Sequence, residues 1–120
     1  MRAMAFALAV AAACFGSAAS ASPQCFVAGL VPVLRSATAS GDLILSGDDA
    51  ETFLDEVNRI PPETDTKADY VILVDRDDAF GLAMVRTLND SEDRALVCAV
   101  SVDPQNVFGE LIRRWIGRRA

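Results

Sequence analysis

Apolar positions recur at helical spacing most clearly over residues 48–60, where Ala50, Phe53, Leu54, Val57 and Ile60 share one face. Glu51, Asp55, Glu56 and Arg59 take the opposite face. Asp48 as N-cap with Glu51 three residues on predicts a capping box, and Pro61-Pro62 stops the helix. A short apolar run at Leu43-Ile44-Leu45, ended by Ser46-Gly47, predicts a strand just before it.

Downstream the period changes from helical to alternating. Residues 70–74, 80–86 and 94–102 read as three strands separated by short turn-forming intervals, Asp75-Arg76-Asp77-Asp78 and 89–93. An antiparallel meander is the economical topology. In the last run Leu96, Cys98, Val100 and Val102 lie on one face, with the smaller Ala95, Val97, Ala99 and Ser101 on the other. The larger side chains place Cys98 on the core side.

A second amphipathic helix is predicted to begin at Asp103-Pro104, an N-cap followed by proline at the first helical position. Val107, Phe108, Leu111, Ile112, Trp115 and Ile116 make its apolar face, Gly117 is its predicted C-cap, and Arg113, Arg114, Arg118 and Arg119 crowd its negative end. The segment 25–34 is apolar but carries Gly29 and Pro32, so it reads as extended or irregular. Residues 63–69 read as a polar linker, within an exposed stretch 58–69. The expected fold is α+β: a small single domain with an antiparallel three- to four-stranded sheet, two helices packed on one face, and one disulfide.

The first residues change the picture of where this domain resides. Arg2, an uncharged apolar run over 3–15 and Ala19-Ser20-Ala21 have the order of a secretory signal peptide, cleaved between Ala21 and Ser22. That run is too short for a permanent membrane span. Residues 1–21 are thus read as a signal peptide and 22–120 as one exported domain, periplasmic or secreted. A competing reading has Cys14, after Ala11-Ala12-Ala13, acylated as in a bacterial lipoprotein, but Ala11 stands where such sites usually carry leucine. Ten of the eleven basic residues are arginine, and with abundant alanine this suggests a GC-rich bacterial genome.

Export makes the remaining cysteines, Cys25 and Cys98, a disulfide with one possible connectivity. No CxxC motif supports a redox role.

Without the leader, ten basic residues face 17 acidic ones, a net charge of −7 that argues against nucleic acid as a partner. Histidine is absent, which excludes His-based acid–base catalysis, His-containing triads and imidazole metal sites. The turn Asp75-Arg76-Asp77-Asp78 begins like a calcium loop but fails the EF-hand pattern at Ala79, Phe80 and Arg86. Paired carboxylates for glycoside hydrolysis need an apolar pocket, and these acids fall at turns, caps and a solvated face. A Ser–Lys dyad has only Lys67, which stands in the polar linker.

No catalytic residue, metal or cofactor is expected. The reading is a binding, accessory or inhibitor-like module, not an enzyme, for an unidentified protein or envelope partner. Arg113, Arg114, Arg118 and Arg119 are its candidate partner-facing residues, with peripheral contact to anionic headgroups as a lesser use of the same helix. The alternatives are a structural envelope component, lipidated at Cys14, and an enzyme using Asp75, Asp77 and Asp78.

Overall fold

A computed structural model describes residues 23–60, 66–88 and 93–119. The expected signal peptide, residues 1–21, and with it Cys14 lie outside the described residues. The chain runs β1 (Gln24–Gly29), α1 (Leu30–Ala39), β2 (Leu43–Ser46), α2 (Gly47–Arg59), β3 (Tyr70–Arg76), β4 (Ala79–Thr87), β5 (Arg94–Ser101) and α3 (Val107–Arg119). The five strands form one antiparallel sheet in the order β1-β5-β4-β3-β2, one strand more than the three or four expected. The extra strand is β1.

Each face of the sheet carries its own core. Ile72, Val74, Ala83, Val85, Ala95, Val97 and Ala99 meet Val33 and Ala37 of α1 on one side. Leu45, Val71, Leu73 and Leu82 meet Ala50, Phe53 and Leu54 of α2 and Leu111, Ile112 and Trp115 of α3 on the other. The two expected helices do share a face; α1 on the opposite face makes a third layer.

α1 was hidden by its proline. Leu30, Val33, Leu34 and Ala37 keep helical spacing, and Pro32 falls in the first turn, where backbone N–H groups have no intrahelical acceptor. The helix ends in a Schellman arrangement, with Gly41 N–H donating to the Thr38 carbonyl and Asp42 N–H to that of Ala37, both at 3.0 Å. Gly41 takes φ +83°, a left-handed value that glycine adopts without strain.

Four further expectations need correction. The buried face of β5 is that of Ala95, Val97 and Ala99, all fully buried, while Cys98 is half-buried. Small alanines let α1 lie close to the sheet, whereas α2 and α3 pack over β2, β3 and β4 and leave the Cys98 side of β5 outside either core. The capping box does not form: α2 begins at Gly47 with Ser46 as N-cap, whose side chain makes no cap bond, so Asp48 and Asp49 lie inside the first turn at the positive end of the helix dipole. In α3 the capping side chain is Asn106, whose Oδ1 accepts the Gly109 N–H at 2.9 Å; Asp103 instead accepts from Gln105 N–H at 2.9 Å in the preceding turn. Gly117 does not cap α3, which continues to Arg119.

Candidate docking surface

β1 is an edge strand, and the ladder it shares with β5 fixes which of its backbone groups point outward. Cys25 pairs with Cys98, Phe26 with Val97 and Val27 with Leu96. Just beyond the strand, Leu30 N–H donates to the Asp93 carbonyl at 2.6 Å, so even-numbered residues of β1 make the ladder bonds. The close Cα–Cα approach of 4.0 Å between Cys25 and Cys98 agrees, since non-hydrogen-bonded pairs stand nearer together. The N–H groups of Cys25, Val27 and Gly29 and the C=O groups of Cys25 and Val27 therefore point away from β5, and no described strand pairs with them; Gly29 is the N-cap of α1, so its carbonyl accepts the first intrahelical bond.

The side chains beside this edge are apolar, Cys25 and Val27 exposed and Leu96, Cys98 and Val100 half-buried. Cys25, Val27, Leu96, Cys98 and Val100 share the sheet face that carries α2 and α3, yet belong to neither core. Val27 is 49% exposed, and Val31, just beyond the strand at the start of α1, is 51% exposed. The Cys25–Cys98 disulfide anchors the strand in the middle of the patch. Edge strands are commonly guarded by charge or proline. Here no charged residue falls between Ser22 and Leu34, and Pro23 and Pro32 stand only at the two ends.

Of the four arginines singled out from the sequence, Arg113, Arg114 and Arg118 are exposed. Arg113 lies over the Phe80 ring, 5.2 Å from its centroid, and its Nε stands 3.9 Å from Asp75 Oδ2. Arg118 stacks on Trp115 at 4.6 Å. Arg114 is exposed, and the Arg119 side chain lies outside what is described. The acidic turn is also placed: Asp77 and Asp78 form a two-residue hairpin turn, since Arg76 pairs with Ala79. Among the described residues no three Asp, Glu, His or Cys side chains converge as a metal site.

Four carboxylates, Asp48, Glu51, Asp55 and Asp69, line an open cleft of about 530 Å³ between α2 and residues 66–69. Asn58 closes one end of it, accepting from Thr66 N–H at 3.0 Å and donating to the Thr66 carbonyl at 3.1 Å.

One charge pair is buried. Asp42, in the turn after α1, has a side chain 1% exposed, and Arg76 at the end of β3 is 22% exposed. Arg76 Nε stands 3.2 Å from Asp42 Oδ1, but neither carboxylate oxygen nor Arg76 Nε and Nη2 has an aligned hydrogen bond. Burial raises the Asp42 carboxyl above its ordinary value of 3.8, against the opposing pull of Arg76. A raised folded value means that this group favours folding most when protonated, and that contribution fades as pH rises above 3.8.

Arg76→Met should remove about 2–3 kcal/mol at pH 7 by stranding the carboxylate. Part of that loss should return at pH 5, because stranding raises the Asp42 carboxyl further. Asp42→Asn with Arg76→Met should restore stability to within about 1 kcal/mol. Urea titrations at both pH values measure this, and a pH-independent loss would contradict the buried carboxylate.

No family model matches the chain, and no curated protein and no solved structure matches it. The surface must therefore be read from its own chemistry. No described helix is long and apolar enough to cross a membrane.

Proposed function

We propose that this is an exported, disulfide-stabilised module that acts by binding protein, not by catalysis, in the manner of an accessory or inhibitor-like domain. The observation that carries this reading is the coincidence of an open strand edge with an apolar patch. Three outward residues, Cys25, Val27 and Gly29, offer alternating donors and acceptors to an extended backbone. Exposed Val27 and Cys25 stand next to such a strand on one face of the sheet, backed across β1 by Leu96 and Cys98 of β5. The occupant is accordingly an extended, uncharged polypeptide strand with apolar side chains at alternate positions. The disulfide supports export, because such bonds persist in oxidising compartments.

Selection of a displayed peptide library on the oxidised protein tests the reading. Recovered peptides should be extended and uncharged, with affinity lost in Val27→Lys. Recovery of none, or of peptides that bind Val27→Lys equally well, would overturn it.

A further inference from the structure

We infer that the strand received by β1 is β1 of a second copy of this chain, paired antiparallel about a two-fold axis through Val27. This rests on the strand-addition reading above and names its occupant. The register follows from the outward residues. They are odd-numbered and centred on Val27, so Val27 meets Val27 of the second copy, and Cys25 meets its Gly29. The Val27 N–H and C=O then pair with those of Val27 in the second copy, and the Gly29 N–H meets the second copy's Cys25 carbonyl, as an isologous contact requires; the Gly29 carbonyl, at the N-cap of α1, serves the helix instead. Pro23 has no N–H to give, and the chain turns into α1 at Leu30, so the ladder has room for these residues and no more.

Side chains agree with the same axis. A two-fold perpendicular to the sheet brings the same face of both copies together. The exposed Val27 and Cys25 of the two copies thus come together on one face, each backed by Leu96 and Cys98 of its own β5. The ten strands would form one continuous sheet.

Charge selects this edge over the rest of the surface. The exported domain carries a net charge of −7, so two copies repel in most orientations. β1 itself carries no charged side chain, and the one charged residue registered against it on β5 is the cationic Arg94, opposite Gly29, so the edge adds no negative charge of its own. Association through β1 should strengthen as salt screens the remaining charge.

Sedimentation equilibrium of the oxidised full-length domain, over a range of protein and salt concentrations, tests the inference. A monomer–dimer equilibrium that tightens with salt is expected. At high protein concentration, the amides of Val27 and Gly29 should gain protection from hydrogen exchange. Val27→Lys sets like charges directly opposite each other and should weaken the dimer about tenfold or more, although it lowers the net charge. Val107→Lys adds the same charge at an exposed site on α3 and should leave dimerisation unchanged. Both sites are exposed, and unchanged melting temperatures would show both variants folded.

A dimer that survives Val27→Lys, or one without protection of the edge amides, would place the interface elsewhere and overturn the inference. A monomer at all concentrations whose β1 edge still selects extended peptides would overturn self-pairing and leave the strand-binding reading intact. A monomer whose edge selects none would overturn both.

Discussion

Replacing Phe53 with alanine is expected to destabilise the domain by about 3–5 kcal/mol, the range for deleting a buried aromatic side chain. Phe53 is fully buried, the largest side chain so enclosed. It stands where three elements meet, between the sheet residues Leu45, Val71 and Leu73 and the two helices α2 and α3. Its ring meets Trp115 edge-on at 5.8 Å and 85°, and Trp115 Nε1–H donates to Glu56 Oε1 at 2.7 Å. A cavity at Phe53 therefore removes hydrophobic burial and leaves the Trp115 ring without its main aromatic neighbour. Few small domains hold more than about 5–15 kcal/mol in total, so the variant should be close to unfolding at 37 °C. Urea denaturation measures the loss. A change below about 1 kcal/mol would mean that α3 does not seal this core. In a double-mutant cycle with Trp115→Phe, the coupling should be about 1 kcal/mol, since the two rings touch.

The same contacts set two exposed arginines of α3 against aromatic rings. Once Trp115 turns inward to meet Phe53, its outer ring face is available, and Arg118 covers it. Phe80 offers Arg113 the same opportunity from β4. Both guanidinium groups shield aromatic surface while remaining wet at their tips. The sequence places four cations near one helix end but cannot show which aromatic rings stand beside them.

Legibility varied along the chain for a physical reason. Residues 50–57 and 111–116 bury one stripe of a helix, so their period reveals element and face, although Val107, expected on the apolar face, is exposed. The meander from Tyr70 to Ser101 was equally readable, because its strands follow one another through short connections. The segment 24–39 was harder, since one proline was taken to interrupt a helix whose first turn can hold it. The period of Leu30, Val33, Leu34 and Ala37 was the signal that could have revealed α1. For β5, side-chain size pointed to the wrong face. Burial there depends on where helices lie, and the small Ala95 and Ala99 are what permit α1 to approach.

The docking surface was illegible for a related reason. Nothing local to residues 24–29 says that β1 pairs with the fifth strand instead of the second. That placement makes it an edge, and the edge makes its missing charges meaningful. A run without charge in the sequence is ordinarily core. Here half of it, Phe26 and Ala28, packs against α1, while Cys25 and Val27 face outward on the opposite side.

Loss of the disulfide is the second large effect expected, and it bears on both stability and binding. Cys25 and Cys98 are 73 residues apart, and the chain-entropy model assigns a loop of that size about 4 kcal/mol. Cys25→Ser and Cys98→Ser should each lower stability by a similar amount, and the double variant should lose little more. Additive losses would contradict a bridge whose value lies in the crosslink. β1 has a further dependence on it. The strand has one neighbour in the sheet, lies at the beginning of the described chain and is followed at once by α1. Reduction should therefore raise hydrogen exchange at Phe26 and Ala28, whose amides bond to β5, before the β3–β4 hairpin is affected. Because an incoming strand needs β1 held in line, reduction should also abolish dimerisation in protein that remains folded. Retention of the dimer after complete reduction would show that β5 and α1 alone hold the edge in place.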